Sequence, residues 1–341
     1  MSKAVKLADI ANKLGVSTVT VSKALSGQKG VSEALRRTIK DTAEEMGYVS
    51  ISQAREQGFV KSYNIGVLVS SKYFTHSRSF YWRIYQEVTT KALAKNCFTM
   101  LEIVSDEDEK NCKIPKLIES DQVKGFIVIG SLEDAYLEMI RRTSRLPVVY
   151  MDFYDKNDNN DAVVSDNFYG MYRMTKHLCD LGHKKIAYVG TLYATDSITD
   201  RFFGYCKALS EAGIEIKEEY IIPDRFEDTK SMDNFEIALP TKNAPTAYAC
   251  NCDLAAVKVV EILKAEGLNV PEDISVVGFD DYMFGDEIKP FLTTYAVDIK
   301  EMAKRAVKII LDKMSGNSDK NGMSIVEGHM IMRDTTKQLE K

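Results

Sequence analysis

The spacing of apolar side chains over the first 48 residues is that of short helices. The apolar positions of residues 7–14, 18–24 and 32–46 each lie on one helical face, which predicts three helices. Gly15 ends the first helix, since glycine takes a positive φ without strain, and Ser17 is placed to cap the second. Two short helices joined by a tight turn predict a helix-turn-helix, the second helix of which enters the major groove of DNA. The same pattern also fits a small packing module that binds nothing.

From residue 64 onward, short apolar runs alternate with amphipathic helical patterns. The runs lack the alternation of half-exposed strands, which predicts strands buried on both faces, at 65–70, 98–104, 125–130, 147–151, 185–190, 246–250 and 274–279. The helical patterns lie near 80–95, 168–182, 199–213, 253–267 and 300–315. Strand–helix alternation predicts doubly wound parallel sheets, and the number of strands favours two α/β lobes over one sheet. Ligands in such folds bind at the carboxyl ends of the strands.

Charge is distributed unevenly along the 341 residues. The whole chain carries −5, but residues 1–63 carry +4 and the remainder carries −9. A basic head on an acidic body confines any contact with nucleic acid to the head. Six scattered cysteines without a CxxC pair exclude a disulfide scaffold or a zinc ribbon and are typical of the reducing cytoplasm. Neither an apolar run long enough for a membrane span nor the apolar core of a signal peptide is found.

Several motifs resemble the LacI/GalR family of transcription regulators, nearly from end to end of the chain. In the head they are LADIA at 7–11, GVSTVTVSKAL at 15–25, VS at 31–32 and EMGY at 45–48. In the body they are DN at 166–167, LGHKKI at 181–186, RFFGY at 201–205 and VPEDISVVGFDD at 270–281. The resemblance implies a small all-α helix-turn-helix headpiece joined to a two-lobed α/β module with the fold of periplasmic sugar-binding proteins.

The resemblance also implies a division into domains. The headpiece is expected at 1–48, a hinge at 49–63, an effector-binding and dimerisation module at 64–333 and a short tail at 334–341. Because the chain crosses between the lobes more than once, the first lobe is expected at about 64–165 and 296–323, and the second at about 166–295 and 324–333. The tail has eight residues and no heptads, so a homodimer is expected rather than a tetramer held by a coiled coil.

The positions that match the family's DNA contacts lie in the second helix and in the hinge. The resemblance implies that Thr18, Val19 and Lys23 read the bases. It implies that Ser17, Thr20 and Ser22 contact phosphates, and that Ala54, Arg55 and Gln57 contact DNA from the hinge. Lys23 can donate to guanine, but it lacks the bidentate fork of the arginine that many relatives carry there. Gln57 stands where the family has a leucine that wedges into the minor groove, and Ser50 replaces a proline. A plain flexible linker is the alternative for the hinge.

Strand ends and helix starts in the body supply a candidate pocket between the lobes. The positions that match the family's effector contacts are Ser70, Phe80, Tyr81, Asp152, Arg201, Phe226, Cys252, Asp253 and Asp280. Aromatic faces pack on the apolar faces of sugars, while carboxylates and a guanidinium fix hydroxyls, so this set favours a carbohydrate. Cys252 replaces the asparagine of many relatives and loses its donor–acceptor pair. Three alternatives stay open: Phe80, Tyr81 and Trp82 belong to the lobe core, Asp280 caps a helix, or Arg201 forms a surface ion pair.

These observations predict a cytoplasmic, homodimeric repressor that binds a near-palindromic operator in double-stranded DNA and responds to a small molecule between its lobes. A purine corepressor is the alternative to a carbohydrate effector. A sugar-binding transport component and an enzyme on a Rossmann-like fold are rivals from other classes of protein. The absence of GxGxxG, P-loop, HExxH and GxSxG motifs disfavours the enzyme. No catalytic residue, cofactor, metal or membrane partner is expected.

Overall fold

The computed structural model describes residues 5, 7–25, 29–46, 48, 64–74, 80–120, 122–156, 161–227, 231–232, 234–282, 291–317 and 322–339. The chain falls into two compact units, Met1–Ser62 and Tyr63–Lys341. Ala54, Arg55 and Gln57 of the hinge lie outside the described residues, so their implied DNA contacts stay predictions.

The first unit contains the three helices that the apolar spacing predicts. They are α1 (Leu7–Leu14), α2 (Thr18–Leu25) and α3 (Glu33–Glu45). Ser17 caps α2, since its hydroxyl oxygen accepts the backbone N–H of Thr20 over 3.1 Å. The inward side chains of all three helices form one small core of Ile10, Ala11, Val21, Ala24, Ile39 and Ala43.

The second unit alternates strands and helices along the chain. Its helices are α4 (Phe80–Leu93), α5 (Asp106–Lys110), α6 (Lys116–Glu119), α7 (Asp134–Thr143), α8 (Asn167–Asp180), α9 (Asp196–Glu211), α10 (Asp253–Ala265) and α11 (Ile299–Met314). Its strands are β1 (Asn64–Ser70), β2 (Phe98–Val104), β3 (Gly125–Ile129), β4 (Val148–Met151), β5 (Asp161–Ser165), β6 (Ile186–Val189), β7 (Ile221–Ile222), β8 (Ala247–Cys250), β9 (Ser275–Val277), β10 (Thr294–Ala296), β11 (Met323–Val326) and β12 (His329–Ile331).

Two parallel sheets form the cores of two lobes. The first has the order β11-β5-β4-β3-β1-β2 and the second the order β7-β6-β8-β9. A short antiparallel pair, β10 with β12, joins the two segments that run between the lobes. Apolar clusters cover both faces of each sheet, which explains the uninterrupted apolar runs of the strands. No helix in the described ranges is both long and apolar enough to cross a membrane.

All seven predicted strands and all five predicted helices of the second unit are present. The prediction missed the helices α5, α6 and α7 and the strands β5, β7, β10, β11 and β12. The helices α5 and α6 have only five and four residues. These strands have two to five residues, too few for a periodic signal, and α7 carries its apolar residues within only ten positions. The first lobe was expected to end at about residue 323, and the pairing of β11 with β5 extends its sheet three residues further, to Val326. The other domain boundaries stay predictions.

Candidate functional site

The outward face of α2 consists of side chains that do not pack into the headpiece core. Val21 and Ala24 are buried, whereas Thr18, Val19, Ser22 and Lys23 are exposed. Val19 is 60% exposed, and a large apolar side chain left in solvent at the start of a helix is suited to contact a thymine methyl group. The hydroxyls of Ser17 and Thr20 lie 2.9 Å apart, so each already has a protein partner.

A residue that the sequence analysis missed fastens the other end of α2. Arg36 of α3 donates through Nη1 to the backbone carbonyl oxygen of Ala24 over 2.9 Å, and to that of Lys23 over 3.3 Å. A guanidinium at a helix C-terminus satisfies carbonyls that have no helical partner and interacts well with the helix dipole. Spacing along the chain gives no sign of this contact, because it joins two different helices.

In the second unit, Asp152 ends strand β4 with an unused carboxylate oxygen. Its side chain is 7% exposed and its backbone has a φ of 68°, in the left-handed region. Tyr81 hydrogen-bonds to the carboxylate, but Oδ1 has no partner among the described residues. Burial raises the pKa of Asp152 to about 6, and the charge of Arg201 partly offsets that rise. A buried acceptor without a donor is what a hydroxyl-bearing ligand would satisfy.

Asp280 follows β9 and faces the same charges. It also has a positive φ, of 100°, and its Oδ1 accepts the backbone N–H of Tyr282 over 2.9 Å. Burial raises the pKa of Asp280 to about 7; Arg201 opposes this rise and Asp152 adds to it. The two carboxylates and Arg201 are therefore close enough to act on one another. Asp280 forms an isolated β-bridge with Ala296, and the helix-cap alternative stays open because residues 283–290 lie outside the described residues.

Arg201 is buried and held by neutral groups. Its Nε donates to the amide oxygen of Asn167 over 2.9 Å, and its Nη1 donates to the backbone carbonyl of Asn251 over 2.7 Å. The guanidinium carbon lies 3.9 Å from the centre of the Phe279 ring, a close cation–π contact. With 5% of its surface exposed, Arg201 is not the surface ion pair that the sequence left open.

Aromatic rings from both lobes surround these charged groups. Tyr73 and Tyr81 stack with ring centroids 4.3 Å apart, and Phe80 meets Tyr81 edge to face at 5.5 Å. The ring of Phe80 also lies 5.8 Å from that of Tyr282, which belongs to the segment after Asp280. Phe80 and Tyr81 also pack against the first-lobe core, as the alternative expected. The core contacts therefore account for part of each ring.

Three further predicted residues use their polar atoms inside the protein. The hydroxyl of Ser70 donates to Oε2 of the buried Glu109 over 2.9 Å. Asp253 accepts the hydroxyl of Thr294 over 2.6 Å, which joins α10 to β10. Cys252 precedes α10 without capping it, and burial raises the pKa of its thiol to about 12. Ser70 and Asp253 are therefore buried, and their polar atoms bind other protein groups.

Phe226 and its neighbour Arg225 differ sharply in their surroundings. Phe226 is 42% exposed, and its ring packs edge to face on Phe235 at 5.1 Å. The side chain of Arg225 is only 14% exposed and forms an ion pair with the fully buried Asp224. Arg225 was missed by the sequence analysis, and the acidic residue before it was the one available signal.

Over the described residues, His, Cys, Asp and Glu form no cluster that could hold a metal ion.

Comparisons with known proteins agree with both units. A model of bacterial regulatory proteins of the lacI family matches residues 6–50, and a model of the periplasmic binding protein-like domain matches residues 175–336. The HTH-type transcriptional repressor PurR of Mannheimia succiniciproducens is 26% identical over 97% of this chain and 98% of its own length. PurR of Vibrio vulnificus is 28% identical over 97% of this chain and 98% of its own length. The chain belongs to the LacI family of bacterial regulatory proteins.

Solved structures share the fold of this LacI-family protein. The lac repressor dimer bound to operator and an anti-inducer has a TM-score of 0.65 and 24% identity, over 98% of this chain and all of that chain. A complex of the regulator CelR with cellobiose has a TM-score of 0.67 and 22% identity, over 97% and 99%. The relatives are transcription regulators, so this LacI-family chain is a DNA-binding regulator and not an enzyme.

Proposed function

We propose that the protein is a sequence-specific repressor whose operator affinity is controlled by a small polar molecule held between its two lobes. The observation that carries this proposal is Oδ1 of Asp152, which lies near Arg201 and has no partner among the described residues. The same chain presents the exposed outward face of α2. A regulator needs two such sites, one for DNA and one for the effector. Their binding free energies are then coupled reciprocally.

The DNA site uses the exposed face of α2. Lys23 donates to guanine O6 or N7, and the methyl groups of Thr18 and Val19 contact thymine methyls. Ser17, Thr20 and Ser22 lie where they can meet phosphate oxygens. A homodimer places two copies of α2 in successive major grooves, which requires a near-palindromic operator. The protein acts in the cytoplasm, because that is where its operator DNA lies.

The proposed homodimer has a candidate surface in the first lobe. Strand β2 is at the edge of the six-stranded sheet, and Phe98 and Ile103 on it are 55% and 47% exposed. Leu93, at the end of α4, is exposed beside this strand. An edge strand with large apolar side chains in solvent is a site that proteins usually cover.

For the effector, the chemistry of the cleft favours a carbohydrate. Asp152 and Asp280 accept hydrogen bonds from hydroxyls, Arg201 donates to hydroxyl or ring oxygens, and the rings of Phe80 and Tyr81 pack on apolar sugar faces. A sugar has hydroxyl groups at its edge and apolar C–H faces, and the cleft offers hydrogen-bonding groups for the first and aromatic rings for the second.

A purine corepressor is the second candidate, and the names of the relatives favour it. Several curated relatives across nearly the whole chain are PurR repressors. The stacked rings of Tyr73 and Tyr81 also offer a flat surface to a planar base. The two candidates differ in sign as well, because a corepressor tightens operator binding and an inducer weakens it.

The test is a selection of operator DNA from a random pool with the full-length protein, followed by binding measurements on the selected site. Binding should weaken steeply with salt and should change when a sugar or a purine is added. Asp152→Ala should bind the same DNA but lose the response to the effector. A protein that selects no sequence from the pool is not a sequence-specific repressor. A response that Asp152→Ala retains would place the effector outside this cleft.

A further inference from the structure

Asp224 and Arg225 form a buried ion pair on the second-lobe wall of the cleft. Asp224 accepts the backbone N–H of Thr191 over 3.0 Å and the side-chain amide of Asn251 over 2.7 Å. It also accepts Nε and Nη2 of Arg225 over 2.9 and 2.8 Å, in a bidentate pair. Four hydrogen bonds occupy both carboxylate oxygens, so the guanidinium of Arg225 has a fixed position.

Arg225 faces the aromatic rings of the first lobe. Its positive charge acts to lower the pKa values of Tyr73 and Tyr81, against the burial that raises them, so these rings stand near the guanidinium. The Nη1 of Arg225 has no acceptor in the part of the chain that the structure describes. The Nη2 of Arg201 has none there either, and both arginines are tied to Asn251.

The charges on this wall favour an anion. Among the described residues, the hydrogen bonds of Arg201 go to neutral oxygens, although the carboxylates of Asp152 and Asp280 lie near its charge, and the ion pair of Arg225 is with Asp224. Two carboxylates lie nearby: Asp152, whose Oδ1 has no partner among the described residues, and Asp280. Burial raises their pKa values to about 6 and about 7, so it disfavours the negative charge of both and lessens their repulsion of an anion.

We propose that Arg225 contacts the effector and makes the cleft select a polyol that carries an acidic substituent, either a phosphate or a carboxylate. The inference rests on the proposed function, because it assigns the chemistry of a ligand in the same cleft. One N–H group from each of two fixed guanidiniums binds the anion, while Asp152 and Asp280 bind the hydroxyls. Arginine is suited to this role because its charge is permanent and its donors are directional.

The experiment is calorimetric titration of the full-length protein with matched pairs of ligands. Glucose 6-phosphate and gluconate are each compared with glucose, and ribose 5-phosphate is compared with ribose. We expect at least one anionic member to bind about tenfold more tightly than its neutral parent. The phosphate and carboxylate arms show which acidic group the site prefers. Arg225→Met should bring the affinities of each pair close together while the neutral sugar binds as before.

Controls separate the charge of Arg225 from its part in folding. Arg142→Met removes an exposed arginine of α7 and should leave the preference unchanged. Arg225→Met with Asp224→Asn removes both buried charges, so a folded protein without the preference is available even if the single variant unfolds. Neutral sugars that bind as tightly as their anionic partners would overturn the inference but not the proposed function. If none of the five ligands binds, the inference is overturned, whereas the proposed function is decided by the operator selection and the response of Asp152→Ala.

Discussion

The guanidinium of Arg36 in α3 donates to the backbone carbonyl oxygen of Ala24, near the end of α2, over 2.9 Å. The bond crosses between two helices of the headpiece and is partly shielded from water. A side chain of α3 therefore sets the position of α2, the helix that carries the predicted base readers. An ionised donor on an unpaired helix carbonyl contributes about 1.5–3 kcal/mol when it is not fully exposed.

Arg36→Met should weaken operator binding by about tenfold or more, because α2 loses its anchor next to Lys23. Discrimination between the operator and a mismatched site should fall as well. Fluorescence anisotropy on both DNAs at several salt concentrations measures this. Arg37→Met is the matched control, since it removes the same charge from an exposed position on the same helix. Equal effects of the two variants would mean that Arg36 acts through its charge alone.

Lys23→Ala should cost about 1–3 kcal/mol of operator binding and relax the preference at one base position. The physical reason is the loss of a donor to guanine from an exposed residue on the outward face of α2. A selection of sites from randomised operators gives the preference at each position. Lys40→Ala, an exposed lysine on α3, is the control for charge alone. An unchanged selectivity profile in Lys23→Ala would remove this residue from the base readers.

The fold could be predicted from sequence because each element carries its own signal. The strands of the second unit are uninterrupted apolar runs, and the helices between them have regular amphipathic spacing. The short strands β10, β11 and β12 could not be predicted in this way, because three or four residues show no period. Their places are set by tertiary pairing, such as that of β11 with β5.

The candidate site was predictable only in part, since motif positions identify residues and not their contacts. Asp152, Asp280 and Arg201 do come together around one cleft. Arg225 was missed because its significance depends on the buried Asp224, which is visible only in three dimensions. Phe226 was chosen by position, although its ring packs on the partly buried ring of Phe235.

Asp152→Asn should stabilise the protein at neutral pH while it abolishes the effector response. The pKa of Asp152 is about 6 in the fold and about 4 in the unfolded chain, so folding binds a proton between these values. Stability is therefore lost as pH rises from about 4 through 6. Ionisation of the buried Asp152 lowers the free energy of unfolding by about 3 kcal/mol at pH 7.5 and by about half as much at pH 5. The asparagine keeps the volume and still accepts from Tyr81.

Urea unfolding of wild type and Asp152→Asn at pH 5 and pH 7.5 measures this difference. The gain in the free energy of unfolding should be larger at pH 7.5. Asp134→Asn changes an exposed carboxylate at the start of α7 and should give a small effect with no such trend. A gain that is the same at both pH values would show that burial does not raise the pKa of Asp152.

The C-terminal segment is fastened to the second lobe through a buried histidine. Nδ1 of His183 lies 2.9 Å from the hydroxyl of Thr246, and Nε2 lies 3.0 Å from that of Ser275 and 3.3 Å from the carbonyl of Lys337. The hydroxyl of Thr335 donates to the carbonyl of Val276 over 2.6 Å. Residues 335–337 of the predicted tail are thus bound along β9.

His183→Gln should flatten the loss of stability in acid. Burial lowers the pKa of His183, so below pH 6.5 the unfolded chain binds protons that the fold does not, and the fold weakens as pH falls. Glutamine retains donors and acceptors without this titration. The measurement is the free energy of unfolding at pH 7.5, 6.5 and 5.5, with the exposed His329→Gln as control. The difference in the free energy of unfolding between His183→Gln and wild type reports on His183 alone, because both proteins contain Asp152 and Asp280. The raised pKa values of those two carboxylates change stability with pH in the opposite direction. Parallel pH curves for His183→Gln and wild type would contradict a neutral, buried histidine at this anchor.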